Sequence, residues 1–144
     1  MSRSSPLFGS WLLAAGDVLA LLLFVSVGQR DHDLVNPRFP LVGALGMTAL
    51  FALPWLAAAW RLGALTRAEP RAALLSFLGR ALNAWLVAAP LGVLLRSLVL
   101  RRAVIPVSFL LAALAFGGLF LLAWRAAFWL AHGYAARQKQ PRAT

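Results

Sequence analysis

The segment WLLAAGDVLALLLFVSV, residues 11–27, decides the fold of this 144-residue chain. It is apolar throughout except for Asp17 and the small residues Gly16 and Ser26. About 20 residues at 1.5 Å per residue cross a 30 Å hydrocarbon core. The segment therefore predicts a transmembrane helix over about residues 7–27. A retained helix is favoured over a cleaved signal peptide, because Asp17 lies in mid-run and the run exceeds a usual signal core.

Three further apolar runs follow, at residues 39–60, 72–95 and 103–130. No period-2 alternation typical of strands is present, and an open sheet cannot lie in lipid. Loops of about ten residues force neighbouring helices to be antiparallel. We therefore expect an all-α polytopic membrane protein: one domain, residues 1–144, of four antiparallel transmembrane helices. The expected helices cover about 7–27, 40–60, 70–95 and 105–130, with polar tails at about 1–6 and 132–144.

The composition supports lipid as the solvent for this chain. Hydrophobic residues make up 62% of the sequence and charged residues 12%, against about 25% charged residues in soluble domains. The net charge is +10, but most basic residues flank the apolar runs, where they act as topology signals and contact the lipid bilayer. We expect no nucleic-acid partner. The absence of cysteine excludes disulfides and thiol nucleophiles.

The basic residues also predict an orientation in the cell membrane. With the N-terminus in the cytoplasm, seven basic residues lie on the cytoplasmic side: Arg3, Arg61, Arg67, Arg71, Arg137, Lys139 and Arg142. Five lie on the other side: Arg30, Arg38, Arg96, Arg101 and Arg102. Because cytoplasmic loops carry an excess of Lys and Arg, both termini are expected in the cytoplasm.

Three charged residues lie inside the apolar runs: Asp17, Arg80 and Arg125. A charge at the bilayer centre costs about 2.5–3.5 kcal/mol on insertion scales, so a partner or a task must offset it. Asp17 and Arg80 each lie about ten residues into parallel helices, roughly 12–15 Å deep, and Arg125 lies roughly 8 Å from the same surface. We predict an Asp17–Arg80 ion pair with Asn83 one turn away and Arg125 nearby or snorkelling.

Helical spacing assigns these residues to inner faces. The stripe of helix 3 comprises Ser76, Arg80, Asn83, Val87 and Pro90, and that of helix 1 comprises Ser10, Ala14, Asp17, Leu21, Phe24 and Gly28. Two interpretations of the Asp17, Arg80, Asn83 and Arg125 cluster stay open. The charges fix helix packing, or they line a pathway or substrate pocket.

Motifs for catalysis, cofactors and metals give little support to an enzyme. The sequence has no paired-His zinc motif, nucleophile elbow, phosphate-binding glycine loop or dinucleotide fingerprint. Asp31-His32-Asp33 has no second cluster to complete a metal site, so neither a metal nor a cofactor is expected. His32 in a loop and Arg96 near an interface are secondary candidate positions.

The order of several short motifs resembles a known family. In this sequence the first motifs are Gly16-Asp17-Val18, Gly28 and His32. Those of the third expected helix are Arg80, Trp85-Leu86-Val87, Pro90-Leu91-Gly92 and Arg96. Those of the fourth are Ile105-Pro106, Ser108-Phe109 and Trp124-Arg125. Over about residues 11–130 these resemble the domain of unknown function 3054 family of small prokaryotic membrane proteins. The resemblance implies an integral membrane protein with Asp17, His32, Arg80, Arg96 and Arg125 as family positions. It implies no activity.

Three functional hypotheses follow. In the first, the chain is a small transporter or permeation subunit that uses the Asp17/Arg80 centre and forms a homo-oligomer. In the second, it is a non-catalytic scaffold or partner subunit of a membrane complex, and the charges only hold the helices together. In the third, which has less support, it is a lipid-handling enzyme in which His32 acts at the membrane interface.

Overall fold

The computed structural model describes residues 6–31, 38–65, 74–102 and 104–138, and every regular element in these ranges is helical. The helices are α1 (Pro6–Asp31), α2 (Pro40–Arg61), α3 (Leu74–Val99), α4 (Val107–Ala112) and α5 (Gly118–Gln138), with a π-helical turn at Ala113–Gly117. Four segments are long and apolar enough to span a membrane: Ser10–Arg30, Pro40–Arg61, Leu74–Val99 and Val107–His132. The expected all-α membrane protein of four spanning helices is confirmed.

The helix bounds differ from expectation mainly at their carboxyl ends. The first helix continues to Asp31, the third to Val99 and the last to Gln138. The last helix therefore includes part of the stretch expected as a polar tail. Its extension contains Ala131, Ala135 and Ala136, and alanine has the highest helix propensity.

The four spans form a closed bundle in which each has two main neighbours. Helix α2 packs against α1 and α3, and α5 packs against α1 and α3. Two tryptophans fill the centre of this bundle, Trp55 from α2 and Trp85 from α3, and both are fully buried. Their rings meet edge to face with centroids 6.1 Å apart, which is a favoured aromatic geometry. Antiparallel neighbours thus surround an aromatic centre.

Small residues give these rings the room they occupy. A Cβ at Gly92 would lie 2.5 Å from the Phe51 ring, and one at Gly117 would collide with the Trp85 ring. The Trp85 indole Nε1 donates a hydrogen bond to the Leu114 carbonyl, 3.1 Å away in the π-helical turn. Glycine therefore allows α3 to approach α2 at Gly92 and the fourth span at Gly117, as small residues do between membrane helices.

Helix α2 ends in a turn that returns the chain to the bundle interior. Gly63 has a φ of 67°, its N–H donates to the Trp60 carbonyl, and the Ala64 N–H donates to the Ala59 carbonyl. This pair of hydrogen bonds is a Schellman motif, which favours glycine at the left-handed position. Ala64 is consequently buried although it lies beyond the helix.

The predicted inner face of helix 3 is wrong. The buried side of α3 carries Phe77, Ala81, Ala84 and Ala88, one residue further along than the predicted stripe, a rotation of about 100°. The stripe of Ser76, Arg80, Asn83, Val87 and Pro90, here called the outer stripe, is exposed or half-buried. Alanines pack closely against α2, so apolar contact outweighed polarity in orienting this helix.

The predicted face of helix 1 agrees better with the structure. Asp17 and Leu21 are fully buried, and Ser10, Ala14, Phe24 and Gly28 are half-buried. Gly16 lies beside them at the contact with α5, where an added Cβ would collide with the Trp124 indole. The α1–α5 contact thus depends on a residue without a side chain next to Asp17.

Replacing Gly16 by alanine should lower the free energy of unfolding by about 1–3 kcal/mol, the usual cost of overpacking. Gly46→Ala on α2 is the matched control, because nothing lies within 4 Å of the added Cβ. The measurement is unfolding of the detergent-solubilised protein by sodium dodecyl sulfate, followed by circular dichroism. Equal stability of the two variants would contradict the close α1–α5 contact.

Candidate functional site

A buried ion pair joins the first and last spans. Arg125 Nε donates to Asp17 Oδ1 at 3.0 Å, and Arg125 Nη2 donates to Asp17 Oδ2 at 2.6 Å. Both side chains have 0% exposure. This two-point geometry matches the planar guanidinium to the carboxylate and is the strongest form of ion pair. It fixes α1 and α5 in both axial position and rotation.

Two further groups complete the Asp17–Arg125 pair. The Trp55 indole Nε1 donates to Asp17 Oδ2 at 3.3 Å, and Arg125 Nη1 donates to the Ala64 carbonyl at 2.6 Å. The turn at Gly63 delivers this carbonyl, since it brings the chain back under the bundle. Each nitrogen of the guanidinium therefore has an acceptor, as a buried charge requires.

Aromatic rings line the guanidinium on two further sides. Arg125 Cζ lies 5.1 Å from the Trp55 ring centroid and 5.5 Å from that of Phe77 on α3. Both distances are within the range of cation–π attraction. All four spans thus contribute to one centre: Asp17 from α1, Trp55 from α2, Phe77 from α3 and Arg125 from α5.

The predicted Asp17–Arg80 ion pair is wrong, because Asp17 pairs with Arg125. Of the two placements predicted for Arg125, the one near Asp17 agrees with the structure, and snorkelling is wrong, since its side chain is fully buried. Arg125 lies seven residues before the end of its span at His132, and Asp17 lies seven residues after Ser10. At 1.5 Å per residue both are about 10 Å from the same end of the bundle. The longer last helix places Arg125 at the depth of Asp17.

Arg80 and Asn83 lie apart from this pair, on the outer stripe. Arg80 is half-buried, and its Nε is buried without a hydrogen-bond partner among the described residues. Asn83 is exposed on the outside of the bundle, about 13 Å along α3 from Leu74. The predicted four-residue cluster therefore divides into a closed pair and an outward polar stripe.

Of the two secondary candidates, Arg96 is described and His32 lies outside the described residues. Arg96 is in the last turn of α3, and its Cζ lies 4.3 Å from the centroid of the Phe109 ring. It borders two cavities at the opposite end of the bundle from Asp17. Arg96 consequently does not belong to the Asp17–Arg125 centre.

The Asp17–Arg125 centre is closed to water in this structure, because both side chains are fully buried. The carboxylate of Asp17 accepts three hydrogen bonds, and its surroundings are apolar and aromatic. Among the described residues no group of three or more His, Asp or Glu side chains could hold a metal ion. The geometry thus favours the packing interpretation of these charges.

Sequence reasoning missed Trp55 and Ala64 as members of this centre. Trp55 lies within an apolar run, and a buried tryptophan needs an acceptor for its indole N–H. That need could have indicated a contact with a buried carboxylate. Ala64 contributes only its backbone, so no side-chain pattern could reveal it. The glycine at position 63 was the one local hint, because it permits the turn that Ala64 needs.

Asp17→Asn and Arg125→Gln should each lower the free energy of unfolding by about 3–5 kcal/mol, because each leaves an uncompensated buried charge. Arg80→Gln, which removes no described partner, should cost about 1 kcal/mol or less. Unfolding by sodium dodecyl sulfate in detergent micelles measures the stability of all three variants.

The double variant Asp17→Asn/Arg125→Gln should lose less free energy of unfolding than the sum of the losses of the two single variants, as coupled residues do. Equal losses for Arg80→Gln and Arg125→Gln would contradict the assignment.

Comparison with known proteins supports the resemblance found in the sequence. Neither a search of curated proteins nor a search of solved structures finds a match. The family described as protein of unknown function (DUF3054) matches residues 14–128. That range includes Asp17, Trp55, Ala64 and Arg125, the groups of the buried centre. Because the match covers most of the chain, this membrane protein belongs to the DUF3054 family.

Proposed function

We propose that this protein is a non-catalytic subunit of a membrane assembly, in which the outer stripe of α3 contacts a helix of a different membrane protein. One observation carries the proposal: polar residues at membrane depth face away from their own bundle. Asn83 is exposed, and Arg80 beside it is half-buried. Polar and charged residues within spanning segments almost always face protein or a water-filled cavity. A partner helix would supply that protein environment.

The Arg80 side chain gives the partner its chemistry. Its Nε is buried and lacks an acceptor within the described part of the chain, and a buried donor without an acceptor costs free energy. Arg80 as a whole is half-buried, so a carboxylate on the partner, at the depth of Arg80, would pair with the guanidinium charge. The partner helix we propose therefore carries an acidic side chain opposite Arg80.

Charge complementarity favours a different protein over a second copy of this chain. In a parallel pair of copies, the two Arg80 guanidinium groups would lie at the same depth and repel each other. The sequence has four acidic residues. Asp17 is occupied by Arg125, Asp31 follows the last residue of its span, and Asp33 and Glu69 lie between the apolar runs of the sequence. A second copy thus offers no carboxylate at the required depth.

A transport role is the second candidate, and the fourth span provides its support. The π-helical turn at Ala113–Gly117 borders a cavity of about 520 Å³, and such turns are frequent at functional sites. Transport through the centre would require the Asp17–Arg125 pair to open to water. The fully buried pair ranks this candidate below the assembly subunit.

The site of action we propose is a prokaryotic cell membrane, with both termini in the cytoplasm. The basis is the seven-to-five distribution of basic residues between the two sides, together with the positive-inside rule. In this orientation the Asp17–Arg125 pair lies in the cytoplasmic half of the bilayer. A carboxyl-terminal reporter that is active only outside the cytoplasm should be inactive.

Photo-crosslinking in cells should detect the partner on the outer stripe. A benzophenone amino acid at Val87, exposed on that stripe, should give one discrete adduct. The same probe at Leu19, which is mid-span and exposed on α1, is the matched control and should give none. Arg80→Gln should remove the adduct at Val87. Peptide sequencing of the adduct should identify a membrane helix with an acceptor side chain at the depth of Arg80.

Two results would contradict this proposal. An adduct with twice the mass of this chain would show that a second copy covers the stripe. Equal crosslinking from Val87 and Leu19 would show that the outer stripe contacts only lipid. Loss of the Val87 adduct on Arg80→Gln is informative only if the variant keeps its fold, so its circular dichroism spectrum must match that of the parent.

A further inference from the structure

Two cavities open at the end of the bundle opposite to the Asp17–Arg125 pair, and they share one basic mouth. The first has a volume of about 480 Å³ and lies between the end of α3 and the start of α4. The second, about 520 Å³, lies between α1, α2 and the fourth span. Both border Arg96, Arg102, Phe109 and Ala112. Arg96 and Arg102 thus lie where the two cavities meet.

The chain holds both arginines at this mouth. Arg96 Cζ lies 4.3 Å from the Phe109 ring centroid, so the guanidinium is stacked in place. The Arg102 N–H donates to the Ser97 carbonyl at 2.9 Å, and the Ser97 hydroxyl donates to the Arg102 carbonyl at 2.7 Å. The Arg102 N–H bond, together with the bond from the Arg101 N–H to the Leu98 carbonyl at 3.1 Å, forms the Schellman motif that ends α3. The Arg96 side chain and the Arg102 backbone are therefore held in place by the fold.

The residue at the left-handed position of this motif is Arg101, with a φ of 51°. Glycine is the usual residue there, because a side chain in this conformation is strained. The turn sends Arg102 back to the cavities, whereas Arg101 is exposed and borders neither cavity. Two adjacent arginines thus differ in placement, which provides a matched control.

Within the described part of the chain, the charged residues that border the two cavities are all basic. The ion pair formed by described side chains, Asp17–Arg125, lies at the other end of the bundle, so no described carboxylate pairs with Arg96 or Arg102. Because Arg96 and Arg102 border the same two cavities, their like charges repel each other. Arginine matches phosphate in geometry and binds it through two parallel hydrogen bonds. An anionic phosphate between them would relieve the repulsion.

The walls behind the mouth are apolar. The first cavity is lined there by Val93 and Ile105, and the second by Phe51, Phe116 and Phe120. A small soluble anion would leave these walls without contacts. An acyl chain would cover them, and two cavities of similar volume suit the two chains of a single lipid. Arg96 lies within one turn of the end of its span, which is the level of lipid headgroups.

We propose that Arg96 and Arg102 bind the phosphate of one anionic diacyl phospholipid, whose two acyl chains occupy the two cavities. Basic pockets between spanning helices bind anionic lipid headgroups, and in the orientation proposed above this pocket would meet lipids of the non-cytoplasmic leaflet. The site is independent of the outer stripe of α3, so it goes beyond the assembly role proposed above. Ala112, which borders both cavities, marks the point where the two chains diverge.

Native mass spectrometry of the full chain in a neutral detergent tests this site. The probes are dioleoyl-phosphatidylglycerol, dioleoyl-phosphatidylcholine and glycerol phosphate, which carries the headgroup charge without chains. One phosphatidylglycerol should remain bound to each chain at concentrations where the other two are lost. Arg102→Gln should weaken its binding about fivefold, the factor for one basic residue near an anionic surface. Ala112→Phe should weaken binding at least as much, because its ring would narrow both cavities beside the residue that borders them both.

Arg101→Gln is the matched control, because it removes the same charge at the same end of the bundle without bordering either cavity. It should bind phosphatidylglycerol as the parent does. Equal binding of phosphatidylcholine or of glycerol phosphate would overturn the proposal, as would an equal loss in Arg101→Gln. Unchanged binding in a folded Ala112→Phe variant would also overturn it, because the chains would then lie elsewhere.

Discussion

The bidentate ion pair between Asp17 and Arg125 is the constraint on which the rest of the structure depends. It lies where lipid cannot solvate either charge, so the bundle must bring α1 and α5 into one register and rotation. The glycine at position 16, the return turn at Gly63 and the donor on Trp55 all serve this geometry. A small bundle thus gains a specific arrangement from one polar centre in an apolar interior.

The two ends and the outer face of the bundle have different characters. One end contains the closed pair, and the other contains the basic mouth of Arg96 and Arg102 with its apolar cavities. The face of α3 with Asn83 is polar but directed away from the bundle. A closed centre combined with an open polar face suits a subunit that is held rigid and contacts another protein. That division of roles underlies the function proposed for this chain.

Much of the fold could be predicted from the sequence, and the candidate site only in part. Run length and apolarity are sufficient for four spanning helices, because hydrocarbon thickness sets a simple minimum length. Asp17 and Arg125 stood out as charges in lipid. The choice of partner for Asp17 failed because Arg80 and Arg125 lie at similar depths, so that rotation decided the pairing. Rotation of α3 was set by alanine packing against α2, which a search for polar stripes overlooks.

Cysteine accessibility tests the central claim, that the Asp17–Arg125 pair is a closed structural centre, most directly. The natural sequence has no cysteine, so Leu13→Cys and Leu121→Cys place single thiols one turn from the pair, on opposite sides of it along the bundle. Both leucines have 1% exposure. In native membranes a water-soluble thiol reagent should label neither variant but should label an exposed Arg61→Cys control. Labelling of Leu13→Cys or Leu121→Cys in the folded protein would show that water reaches the pair and would contradict this account.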